Sequence, residues 1–174
     1  MKRILKIYSP YVIGIVVGIP VLSSLFTGFG PESFGSGEII GYSSMIVAMA
    51  LIFFAVKNHR DRINEGVIGF GEAMKIGLSL STIGGLAWGL YNFVFVTWIM
   101  PDFNEQYVAY AEGLEVGTAA FEAKYEALMS GSGSFMYTPI GGTIVMFMTV
   151  FLIGFVISII SALVLQSKHK MAEA

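Results

Sequence analysis

The chain has 174 residues, 55% of them hydrophobic and 13% charged, with a formal net charge of −2 and a mean hydropathy of +0.75. A soluble domain carries about 25% charge and about 45–50% apolar residues. This balance therefore excludes a disordered chain, a charged solenoid and an ordinary cytosolic enzyme, and points to one integral membrane domain over residues 1–174.

Four apolar runs follow in chain order, at about residues 8–29, 39–56, 76–100 and 140–165. Each meets or nearly meets the roughly 20 residues that a helix needs to cross about 30 Å of hydrocarbon. The first holds Pro10 and Pro20, which should bend it. It also holds Gly14 and Gly18, a GxxxG pair. Its length, its prolines and the lack of an Ala-x-Ala site read as a retained helix, not a cleaved leader. The second run opens on Glu38, with Tyr42 one turn deeper. The third follows Glu72 and Lys75 and carries Gly77, Ser81, Gly85 and Gly89, each four apart. It also contains Asn92, the deepest amide, and ends at Trp98 and Pro101. The fourth is entered through Pro139, Gly141 and Gly142 and carries Gly154 and Ser158. Lipid gives helices little hydrophobic drive to associate, so these small residues are the expected contact faces. They serve either a monomeric bundle or contact with a second copy or a partner helix.

Between the third and fourth runs lies the one sizeable aqueous segment, about residues 102–130. Tyr107, Ala111, Leu114, Thr118, Phe121, Tyr125 and Leu128 recur in alternating steps of four and three. That spacing predicts an amphipathic helix. Gly113 and Gly117 weaken it by about 1 kcal/mol each relative to alanine, so the helix either runs through or is broken near them. Its apolar stripe must be covered, by the bundle ends, by the membrane interface or by a partner.

Charge sets an orientation. Lys2, Arg3 and Lys6 precede the first run; Lys57, Arg60, Arg62 and Lys75 lie between the second and third; Lys168 and Lys170 follow the fourth. Only Lys124 falls in the other loops, which hold most of the acids. Basic residues mark the cytoplasmic side. Both termini are therefore expected in the cytoplasm of a bacterial inner-membrane, multi-pass protein, with the acidic helix outside.

Polar candidates sit at the boundaries. Glu38 reads as a cap at the outer surface or as an acidic ligand or proton site, with Tyr42 able to share a hydrogen bond. Glu72 and Lys75 are spaced for a local ion pair, or for a cap with a snorkelling lysine. With Gly69 and Gly71 they also fit an anion site at a helix start. For Asn92 an interhelical hydrogen bond is expected. His59 and His169 stand beside basic stretches and show no partners for zinc or catalysis. No catalytic, cofactor or metal constellation emerges, and no nucleotide motif fits.

Three stretches carry a family resemblance: Glu38-Ile39-Ile40-Gly41-Tyr42-Ser43-Ser44-Met45, Phe53-Phe54-Ala55-Val56-Lys57 continuing through Arg60-Asp61, and Gly69-Phe70-Gly71-Glu72-Ala73-Met74-Lys75-Ile76-Gly77. With Ile157-Ser158-Ile159-Ile160-Ser161-Ala162, they resemble the bacterial domain-of-unknown-function family numbered 4199, small four-helix membrane proteins. Gly69 and Met74 depart from the residues common there. The resemblance implies four spans and assigns no activity. The expected fold is thus all-α, an integral membrane four-helix bundle with an additional extracytoplasmic amphipathic helix. The expected role is a non-enzymatic accessory or assembly subunit whose partners are the lipid bilayer, a second copy or another membrane protein, with no nucleic acid. The alternatives are a small transporter or lipid-handling protein, lined by Glu38, Tyr42 and Asn92, and a membrane enzyme acting on lipid headgroups.

Overall fold

A computed structural model describes residues 1–167; the expected basic tail of Lys168, His169 and Lys170 lies outside the described residues. Among the described residues there is no strand. The elements are α1 (Lys2–Thr27), α2 (Phe34–Arg62), α3 (Phe70–Ile99), α4 (Phe103–Glu112), α5 (Ala119–Ser130) and α6 (Pro139–Leu165). Four of them, α1, α2 with its preceding turn, α3 and α6, are long and apolar enough to cross a membrane. They run beyond the apolar stretches because helix continues through polar ends, as with Lys57–Arg62 at the end of α2.

Two spans are locally unwound. Residues Gly14–Gly18 of α1 form a π turn just ahead of Pro20. The last turn of α3, Phe95–Ile99, is also π, and Met100 N–H donates to the Phe95 carbonyl at 2.8 Å. Proline lacks an N–H and crowds the preceding turn, which explains a wide turn beside Pro20 and the helix end before Pro101.

The buried centre is made by Val12 and Val16 of α1, Met49, Ile52 and Val56 of α2, Ile76 and Leu80 of α3, and Val150 of α6. Leu25, Phe26, Leu86, Leu90, Leu152 and Val164 point outward and are exposed, as lipid-facing positions would be. The closest contact joins α3 to α6. A Cβ on Gly85 would lie 2.8 Å from Phe147 Cδ2 and 2.9 Å from its carbonyl oxygen; one on Gly89 would lie 2.9 Å from the Thr143 carbonyl. A Cβ on Gly77 would run into Ser158, and one on Gly154 into Ser81 and Met49. These glycines are thus used inside the bundle. Gly14 and Gly18 differ: nothing lies within 4 Å of an added Cβ.

The 102–130 segment is two helices, not one. Gly113 (φ 65°) and Gly117 (φ 83°) adopt left-handed backbone that glycine enters at no steric cost. The chain reverses, and Phe121 of α5 is fully buried against Val108 and Ala109 of α4, with Leu114, Tyr125, Leu128 and Tyr137 around them. The break takes Tyr107 off the stripe and leaves it free to face α2. Thr118 caps α5, accepting from Phe121 N–H at 3.3 Å.

At the opposite end, the α2–α3 loop is clasped to the end of α6. Ser167 Oγ accepts from Ile68 N–H at 3.1 Å and donates to the Gly66 carbonyl at 3.0 Å; Ser167 N–H donates to the Ile68 carbonyl at 3.0 Å. Ile68 is buried by this clasp.

Candidate functional site

The end of the bundle that carries α4 and α5 contains a cavity of about 350 Å³. Its walls come from all four long helices: Pro20 and Ser24 of α1, Glu38, Tyr42 and Met45 of α2, Trp88, Tyr91, Asn92 and Phe95 of α3, and Val145 and Thr149 of α6. Phe103, Asn104 and Tyr107 of α4 form its roof. A concave, mostly apolar site with a few convergent polar groups, in about this size range, is what small-ligand pockets look like.

Aromatic rings account for the shape. Trp88 and Tyr91 have centroids 5.2 Å apart, Tyr91 and Phe95 5.8 Å, and Phe95 and Phe103 5.4 Å. Phe103 stacks on Tyr107 at 5.5 Å, and Phe34 packs against Phe103, Tyr107 and Tyr110. The π turn at Phe95 therefore sits where the wall of α3 meets the roof. Asn104 Nδ2 donates to the Tyr137 carbonyl at 2.7 Å and fixes α4 to the turn that enters α6.

The polar groups are few. Tyr107 Oη donates to Glu38 Oε1 at 2.5 Å. This bond and burial push the Tyr107 phenol up to about 12, because a carboxylate acceptor favours the protonated phenol. Glu38 is therefore neither a helix cap nor bonded to Tyr42; it lies in the second turn of α2 and takes its proton donor from α4. Asn92 Oδ1 and Trp88 Nε1 are buried in the wall without a hydrogen-bond partner. Buried polar atoms are rarely left so, and an acceptor beside a donor in one cavity wall matches a ligand with both functions. Glu38, Tyr42 and Asn92 thus line one cavity.

Glu72 and Lys75 lie at the other end. Glu72 Oε1 accepts from His59 Nε2 at 2.8 Å, and Glu72 Oε2 accepts from Asn64 Nδ2 at 2.9 Å. Among the described residues, no ion pair joins Glu72 to Lys75. His59 is only 2% exposed. Its neighbours in sequence are polar and basic, and the one sequence hint of its burial is its place on the continued helical face of Ile52 and Val56. Glu38 and Glu72 therefore do not share a site. Trp88, Phe95, Phe103 and Tyr107 also line the cavity, beyond the residues the sequence singles out. Aromatic enrichment near Asn92 was the available signal.

The family model described as "Protein of unknown function (DUF4199)" matches residues 11–167. The chain belongs to this family. No curated protein and no solved structure matches it. Members of the DUF4199 family have no assigned activity, so the match and the four span-length helices make this a membrane protein of unknown activity.

Proposed function

We propose that this protein binds a small amphiphile within the membrane, as a lipid-handling protein or small transporter, through the cavity among α1, α2, α3 and α6. The carrying observation is the convergence of Glu38, Tyr42 and Asn92 on one largely apolar cavity, with Trp88 Nε1 and Asn92 Oδ1 unpartnered in its wall. Burying an apolar body there gains about 25 cal/mol per Å² removed from water, and each orphaned polar atom regains a bond worth about 1 kcal/mol. The Lys and Arg distribution supports an inner-membrane placement with both termini cytoplasmic. The cavity then lies in the outer half of the bilayer under the acidic helices.

The assembly role rests on a separate observation, the uncovered Gly14–Gly18 face of α1. The cavity favours ligand handling. The test uses Trp88 as reporter. Trp98 is exposed and is the only other tryptophan. A Trp98→Phe protein should lose Trp88 emission as bromo-octanol is added, with saturation. Thr149→Phe, which fills the cavity, should abolish that saturable quenching without loss of helix by circular dichroism. Equal, non-saturating quenching in both proteins would show that bromo-octanol reports only on bulk lipid.

A further inference from the structure

We infer that the amphiphile taken by this cavity carries a cationic ammonium head, seated between the Glu38 carboxylate and the aromatic faces of Tyr107, Phe103 and Tyr91. This inference rests on the cavity reading above and adds the charge of its ligand. Three observations carry it. Glu38 lines the cavity and has no Lys or Arg partner among the described residues. Its one recorded bond comes from a neutral phenol, which occupies Oε1. The single lysine of that end, Lys124, is engaged by Glu112 at 3.2 Å. Glu38 is exposed, so its second oxygen is open to a ligand, and a cationic group there would supply the opposite charge that no Lys or Arg among the described residues gives it.

The walls fit the same head. Ring faces carry negative quadrupoles and attract ammonium groups within about 6 Å, which is how aromatic cages hold quaternary ammonium. Here Tyr107, bonded to the carboxylate through its hydroxyl, and Phe103, stacked on Tyr107, line the cavity together with Glu38 and Tyr91. Asn92 lines the same cavity, with its Oδ1 unpartnered. A primary ammonium could then also donate to Asn92 Oδ1. An anionic head would meet Glu38, the one acid in the lining, with no Lys or Arg in that lining to offset it.

Competition against bromo-octanol, read by Trp88 in the Trp98→Phe protein, separates the cases. The probes are octyltrimethylammonium, octanol and octyl sulfate below their micelle concentrations. The ammonium should displace bromo-octanol at about tenfold lower concentration than octanol, since cation–π and carboxylate contacts of this kind are worth about that factor. Octyl sulfate should be the weakest. Glu38→Gln should bring the ammonium to within about threefold of octanol, while Tyr107→Phe, which keeps the carboxylate, should preserve the preference. Equal displacement by ammonium and octanol in the Glu38 protein would overturn the cationic head and leave the cavity reading standing. Persistence of the preference in Glu38→Gln would overturn the role of Glu38. Displacement by none of the three would overturn the cavity reading itself.

Discussion

Replacing Gly85 by alanine and, separately, Gly14 by alanine should change stability in opposite directions. Both glycines belong to small-xxx-small motifs. At Gly85 the new methyl would lie 2.8 Å from Phe147 Cδ2 and 2.9 Å from the Phe147 carbonyl oxygen. Comfortable carbon contacts begin near 3.5 Å, so the methyl is about 0.7 Å too close to the ring and also crowds backbone. Overpacking of this kind costs about 1–3 kcal/mol. Alanine returns up to about 1 kcal/mol of helix propensity; because the clash includes the Phe147 backbone oxygen, the cost falls at the upper end and leaves a net loss of up to about 2 kcal/mol. At Gly14 nothing lies within 4 Å, and only the propensity gain, up to about 1 kcal/mol, remains. Equilibrium unfolding in mixed micelles measures both. A Gly85→Ala protein as stable as its parent would refute the tight α3–α6 seam. A destabilised Gly14→Ala protein would mean that a second copy or partner covers that face.

The Tyr107 phenol, pushed up to about 12 by Glu38 and burial, should give a late step in ultraviolet difference spectra. An unfolded phenol titrates near 10. The folded pKa is raised, so its contribution to stability is complete below pH about 10 and is lost as pH rises through about 12. Tyr107→Phe should delete that late step, and Glu38→Gln should move it back toward 10. At the other end, Glu72→Ala should cost about 1–3 kcal/mol, because it strips His59 Nε2 of its partner inside the bundle. Glu72→Gln, which keeps an acceptor, should recover most of that loss. Hydrogen exchange over residues 63–69 should rise in the alanine variant and stay near normal in the glutamine variant.

The membrane class and four-helix architecture were legible because the apolar runs are long and charge is confined to their ends. The helix interruptions were legible in part: Pro20 stands beside a π turn, Pro101 follows the end of α3, and Gly113 and Gly117 separate α4 from α5, whereas Pro10 sits inside unbroken helix. What the sequence could not show is which of two equivalent motifs is used. Gly85 and Gly14 look alike until the neighbours are placed, because small-xxx-small spacing fixes a face and not what it meets. Glu72 has Lys75 at i+3, yet its partners are His59 and Asn64, brought back by the turn at Glu65 and Gly66. Glu38 likewise takes Tyr107, sixty-nine residues away. The expected amphipathic stripe ran through Tyr107 and Phe121 as if one helix held both. The two left-handed glycines reverse the chain, so Phe121 packs inside the hairpin and Tyr107 roofs the cavity. Long-range partners of this kind follow from topology and leave little local trace.

The most direct test of an amphiphile-binding cavity is a crystallographic or cryogenic electron-microscopy structure with a bromo-octyl ligand, located by the bromine signal. The account predicts one bound molecule among Trp88, Asn92 and Thr149, absent from the Thr149→Phe protein. Bromine found only along the outer faces of α1 and α6, with the cavity wall of Trp88 and Asn92 unvisited at saturating ligand, would contradict it.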